Sequence, residues 1–192
     1  MAAGYDRSIA VFERFLFGGG REWVCSRATG TTLEIAIGTG LNLPLYPRDV
    51  RLVGIELSPE MLKLARERAV ALSRQVDLYE GDAERLPYPD AAFDSVVITL
   101  ALCSIPDDAA AVREAHRVLR PGGRLLLLEH VASPKRWVWG GQWLLDHLTV
   151  RLEGDHLIRE PVVHLRSAGF EIEELERLKL GIVERVAARK PA

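Results

Sequence analysis

The chain has 192 residues, 48% apolar and 27% charged, with a formal net charge of −2. This length fits one domain with a substantial core. The charge provides no global positive field for nucleic acid, and no stretch reaches the roughly 20 apolar residues of a membrane span.

Residues 6–28 read as helix, with Ile9, Phe12 and Leu16 on one face and Gly18-Gly19-Gly20 dividing it. The start, Met1 to Asp6, has no basic region followed by an apolar one, so no secretion signal is expected. A first strand spans about 31–37, and a helix is expected to begin near Leu41. A second strand covers 51–56. Ser58 then reads as an N-cap and Pro59 as the first residue of a helix running to about Ser73. A third strand covers about 76–80. Phe93 to Leu100 is a continuous apolar run, as a central strand buried on both faces requires.

Asp107 or Asp108 caps a helix to Leu119, which Arg120-Pro121-Gly122-Gly123 ends. Arg124 to His130 is a fifth strand. A tryptophan-rich helix follows over about 137–152, then a helix over 159–168 ended by Gly169. Strands at about 170–177 and 181–189 close the chain as an antiparallel edge pair. Strands alternating with helices imply an α/β fold: a seven-stranded, mostly parallel Rossmann-like sheet with helices on both faces. The chain is expected to be a single domain, 1–192. Its first 28 residues form either a helical lid over the site or an ordinary amphipathic helix covering the sheet. Residues 134–158 form an insertion on the substrate side.

The most informative run is Leu33-Glu34-Ile35-Ala36-Ile37-Gly38-Thr39-Gly40, an apolar strand ending in two glycines. Glycine lets the backbone turn tightly and lets a ligand approach. The next strand ends in Glu56, placed to hold two ribose hydroxyls. Together these features point to a nucleoside-bearing cofactor. The dinucleotide pattern G-x-G-x-x-G fails, because its third glycine would be Leu41 or Leu43, and no phosphate loop is present. Cys25 and Cys103 show no metal-type spacing, no metal site is expected, and a reducing cytoplasmic setting is the simplest.

The run resembles the first motif, E-x-G-x-G-x-G, of class I S-adenosylmethionine-dependent methyltransferases, with Ala36 in place of the first glycine. Glu56-Leu57-Ser58-Pro59-Glu60-Met61-Leu62 resembles the second motif, and Gly81-Asp82-Ala83-Glu84-Arg85-Leu86-Pro87 the third. Phe93-Asp94-Ser95-Val96-Val97 and Arg117-Val118-Leu119-Arg120-Pro121-Gly122-Gly123 are similar to later signatures. The segments around Thr99 to Ile105, Leu128 to Val131 and Leu144 to Asp146 look like the membrane-associated alkyl-thiol methyltransferases of animals and their bacterial relatives. Bacterial phospholipid and quinone methyltransferases are neighbours.

The resemblance implies S-adenosylmethionine as cofactor. Its methionine moiety would meet Ala36, Gly38, Thr39 and Gly40, its ribose Glu56, and its adenine Asp82 and Ala83. Asn42, Leu57 and Glu84 join that cofactor set. Thr99 and Leu100 line the methyl-donor end. Glu34 bonds either nearby amides or the amino end of the ligand. His130 is the sharpest candidate for proton uptake from a thiol, phenol or amine, against a plain strand-capping role. Asp146 is a second catalytic candidate by resemblance. Cys103 either touches the substrate or simply packs.

Trp137, Trp139 and Trp143 either roof an apolar acceptor pocket, dip into a membrane surface, or pack on the sheet. The expected activity is methyl transfer to a small apolar acceptor. The alternatives are phospholipid N-methylation at a membrane surface and a catalytically idle cofactor-binding protein.

Overall fold

The structure, a computed structural model, describes residues 17–153 and 156–192. The helix expected over residues 6–16, and the lid it was to form, lie outside them.

Leu125, Leu126, Leu127 and Leu128 lie in a strand, Leu119–His130, and none is exposed to solvent. Side chains alternate along a strand. Leu125 and Leu127 therefore enter one apolar cluster, and Leu126 and Leu128 another on the opposite face. A fully buried leucine contributes roughly 1.5–3 kcal/mol relative to an exposed one. The run thus drives burial on both sides.

The strands are β1 (Thr31–Ile35), β2 (Arg51–Glu56), β3 (Val76–Glu80), β4 (Phe93–Thr99), β5 (Leu119–His130), β6 (Glu171–Leu178) and β7 (Val183–Arg189). They form one sheet in the order β3-β2-β1-β4-β5-β7-β6. The first five in that order are parallel, and β7 and β6 run antiparallel at the edge. The helices are α1 (Gly20–Cys25), α2 (Pro59–Ala71), α3 (Asp108–Val118), α4 (Arg136–Glu153) and α5 (Pro161–Ser167). Ala111, Val112 and Ala115 of α3, with Val162 and Leu165 of α5, cover one face. Val24 and Cys25 of α1, with Leu62 and Ala69 of α2, cover the other.

The expected caps form. Ser58 Oγ accepts from the amide of Met61 at 3.3 Å, with Pro59 opening α2. Asp107, rather than Asp108, caps α3: its Oδ1 accepts from Ala110 N at 2.8 Å. Asp94 Oδ2 accepts from Thr31 N at 2.8 Å and so aligns the starts of β1 and β4.

One expected element is corrected. No α-helix begins at Leu41; only a 3-10 turn, Leu43–Leu45, is present. Pro44 and Pro47 lack the amide hydrogens a continuing helix needs. Parallel strands order outward from β1 in one direction and from β4 in the other. The crevice beyond their C-terminal ends is where ligands bind in such sheets.

Gly40 has φ +79, and a Cβ there would lie 2.8 Å from Leu43 Cδ1 and 3.3 Å from the Cα of Ala65 in α2. Gly38 has φ +59 but nothing within 4 Å of the same position. Gly40 is thus required for helix packing, whereas Gly38 faces open space. Gly40→Ala should lower unfolding stability by about 2–4 kcal/mol, from backbone strain plus overpacking. Gly38→Ala should cost only about 1–2 kcal/mol, from strain alone. Urea denaturation of both variants checks the difference.

Candidate active site

The turn after β1 is tied to the tip of β2 by one carboxylate. Glu56 Oε2 accepts from Gly38 N at 2.9 Å, and Oε1 accepts from Ser58 N at 2.9 Å. Glu56 is 8% exposed, so its edge reaches the crevice. Leu57 beside it is 67% exposed, an apolar side chain standing over the same strand end. Ala36 takes a left-handed conformation, φ 54, at the position where the resembling motif has glycine. This strain is local to the turn.

Deeper in the crevice lies a polar cluster. Asn42 Nδ2 donates to Glu34 Oε1 at 2.6 Å and to Thr99 Oγ1 at 2.9 Å. Arg21 Nη1, from α1, donates to Asn42 Oδ1 and Thr99 Oγ1, both at 3.0 Å. Glu34 is fully buried; the Tyr46 hydroxyl stands beside its carboxylate, but no hydrogen bond of good geometry reaches Oε2 among the described residues. Burial pushes its carboxyl up to about 7, against the opposing pull of Asn42, Tyr46 and Arg21. Thr39 is buried too, and its carbonyl and hydroxyl oxygens accept from Arg68 Nη1 of α2 at 2.6 and 3.1 Å.

The tip of β3 is more open. Asp82 is exposed, and its Oδ1 accepts from Glu84 N at 2.9 Å, which fixes the turn carrying Ala83. Glu84 Oε1 accepts from Asp107 N at 2.8 Å, joining that turn to α3. At the tip of β4, Leu100 has φ 52, uncommon for a leucine. Its amide donates to Leu128 O at 2.8 Å. The next two amides, of Ala101 and Leu102, donate to Glu129 Oε1 at 2.6 and 2.8 Å. The fully buried Glu129 thus shapes the loop that closes the crevice.

His130 ends β5 and is half-buried. Cys103, Glu129 and His130 come together, with one ligand-type atom from each within 4.8 Å of the others. Their spacing along the chain gave no hint of this grouping. Asp146, the second catalytic candidate, has a structural contact. It is buried, and its Oδ1 accepts from Leu157 N at 2.6 Å, which pins the connection after α4. Gln142 completes that clamp by donating to Val131 O and Leu157 O.

The tryptophans of α4 are all exposed in part: Trp137 is 72% exposed, Trp139 44% and Trp143 46%. Trp139, Arg136, Gly140, Ser133 and Pro134 line a cleft of about 410 Å³. A larger cleft, about 710 Å³, sits at the starts of β2 and β3, at the opposite end of the sheet from these groups. No helix among the described residues is long and apolar enough to cross a membrane.

Sequence reading missed Arg21 and Glu129. Arg21 follows a glycine run that reads as a break, and Glu129 sits among leucines that read as core. Glu129 is the better signalled, because a carboxylate in a doubly buried strand needs a partner.

A family model described as a methyltransferase domain matches residues 33–127. Thiol S-methyltransferase TMT1A of Homo sapiens is 32% identical over 184 residues, covering 91% of this chain and 74% of that protein. Phosphatidylethanolamine N-methyltransferase of Cereibacter sphaeroides is 40% identical over 108 residues, covering 55% of this chain and 53% of that protein. The chain spans about half the length, or less, of the bacterial curated relatives it matches. A solved SAM-dependent methyltransferase of Thermotoga maritima shares the fold, with a TM-score of 0.72 at 23% identity over 99% of this chain and 100% of that one. Matched by a family model from β1 through β5, and by a human relative along nearly its whole length, the chain belongs to the S-adenosylmethionine-dependent methyltransferases.

Proposed function

We propose that this chain transfers a methyl group to a small apolar acceptor, with a thiol as the first candidate. The observation that carries the reading is the pair of carboxylates at the β1–β2 ends. Glu56 is locked by two backbone amides, and the buried Glu34 carboxylate, beside the Tyr46 hydroxyl, leaves Oε2 without a well-formed hydrogen bond among the described residues. Both fit an adenosyl amino acid. When bound, S-adenosylmethionine supplies an electrophilic methyl carbon on a sulfonium.

The residues take distinct parts. Glu56 accepts from ribose hydroxyls through lone pairs its two amides leave over. Leu57 and Ala83 cover the adenine, and Asp82 accepts from its amino group. Glu84 holds that turn against α3. Gly38 leaves room for the methionine moiety, flanked by the backbone of Ala36, Thr39 and Gly40. Glu34 pairs with the ammonium of that moiety, and Arg21 balances its carboxylate. Asn42 and Thr99 orient those two charged groups. Thr99 and Leu100 line the reacting end. His130 takes the proton of the acceptor. A thiol acceptor suits this arrangement, because a modest base suffices near neutral pH. Residues 134–158 form the acceptor side, where the open cleft by Trp139 takes an apolar group.

The thiol preference draws on the human thiol S-methyltransferase, which aligns along most of this chain. Phospholipid N-methylation is the second reading. The outward tryptophans and the Cereibacter relative favour it. Radiolabelled methyl transfer onto alkyl thiols, phenols, amines and phosphatidylethanolamine vesicles separates the two. Transfer to thiols in the absence of lipid supports the first, and transfer only at vesicles the second.

Glu56→Gln should weaken S-adenosylmethionine binding about 10- to 100-fold, as for a lost hydrogen bond to a charged group. Isothermal titration reads the loss, and a melting curve checks the fold. In the free protein the Glu34 carboxyl is raised to about 7 and is neutral below that pH. It must release a proton to pair with an ammonium. Donor affinity should therefore rise as pH increases from 6 to 8, with proton release on binding, and Glu34→Gln should flatten that rise. His130→Ala should lower kcat toward a thiol while leaving donor affinity unchanged. Stopped assays combined with titration distinguish the two effects.

A further inference from the structure

We infer that Cys103, Glu129 and His130 form a binding site for a zinc-class divalent cation at the outer ends of β4 and β5. Among the described residues they are the group whose thiol, carboxylate and imidazole converge, with ligand atoms within 4.8 Å of one another. A tetrahedral zinc ion with one sulfur, one nitrogen and one oxygen ligand places those atoms about 3.3–3.7 Å apart. A shift of about 1–1.5 Å closes that difference, and His130 is the half-buried member of the group.

The donor set is the kind zinc selects: a soft thiolate, a borderline imidazole and one carboxylate. The charges close as well. One thiolate and one carboxylate neutralise a divalent ion where Cys103 is 5% exposed and Glu129 fully buried. Binding releases the thiol proton to solvent, so the ion replaces a proton at sulfur.

The site is also braced. Glu129 Oε1 is fixed by the amides of Ala101 and Leu102, which orients the carboxylate before any ion arrives. Those amides belong to the same loop that carries Cys103. Three protein ligands leave a fourth position for water or an exogenous thiol. None of the ligands is a cofactor residue, but His130 is shared with the proposed methyl transfer. With the cation bound its imidazole is a ligand and not the base, and an acceptor thiol at the fourth position would lose its proton to solvent on binding the metal.

Cobalt reports this site directly. Metal-free wild-type protein titrated with Co2+ should show one equivalent bound. Its spectrum should carry a thiolate-to-cobalt charge-transfer band and intense visible bands of tetrahedral cobalt, which Zn2+ then abolishes. Cys103→Ser should remove the charge-transfer band, and Cys25→Ser should keep it. His130→Ala, at a partly exposed strand end, should lower Zn2+ affinity at least tenfold in competition with a chromophoric chelator. Absence of the band in wild-type protein would overturn the inference. So would a band that survives Cys103→Ser, or Zn2+ affinity unchanged in His130→Ala.

Discussion

Two strand ends are joined by one side chain. Glu56 holds the amide of Gly38 in the turn after β1 and the amide of Ser58 at the head of α2. The turn carries left-handed conformations at Ala36, Gly38 and Gly40 within five residues. Such a backbone does not persist without fixed partners. The carboxylate supplies them and remains at the rim of the crevice. Everything at the site is placed relative to this joint: Gly38 facing open space, Thr39 held by Arg68, and Asn42 at the end of the turn.

The deeper layer solves a different problem. Glu34 is buried in the middle of an apolar sheet, where an ionised carboxylate is costly. Asn42, Arg21, Thr99 and Tyr46 surround it with polar groups and a cation, yet Oε2 has no well-formed hydrogen bond among the described residues. A protein gains nothing in stability from such an atom. A zwitterionic ligand tail would meet both Glu34 and Arg21. Glu129 is buried in the same way, and its Oε1 is held by two amides that shape the β4 exit loop.

Much of this was readable from residue order, because local chemistry decides it. The succession of strands, the Ser58 cap with Pro59, and the edge pair all follow from propensity and period, although β5 starts at Leu119 and not at the expected Arg124. The positions of Glu56, Gly38 and Gly40 follow as well, since they are fixed by a short turn. What stayed hidden depends on contacts between distant segments. Asp146 spends an oxygen on the Leu157 amide, a partner that only the return of the chain provides. Arg21 meets Thr99 from 78 residues away along the chain because α1 packs against β4 and β5, and Cys103 meets His130 only because β4 and β5 are neighbours. The roles of Gly38 and Gly40 also separate only in three dimensions, where α2 crowds one and leaves the other clear.

The central claim is that an adenosyl amino acid sits across the tips of β1, β2 and β4. A crystal structure of the protein grown with S-adenosylhomocysteine tests it most directly. Density should lie over Gly38, with the ribose hydroxyls on the Glu56 carboxylate and the amino acid end facing Glu34 and Arg21. Density elsewhere, or a crevice left vacant at saturating compound, would contradict it.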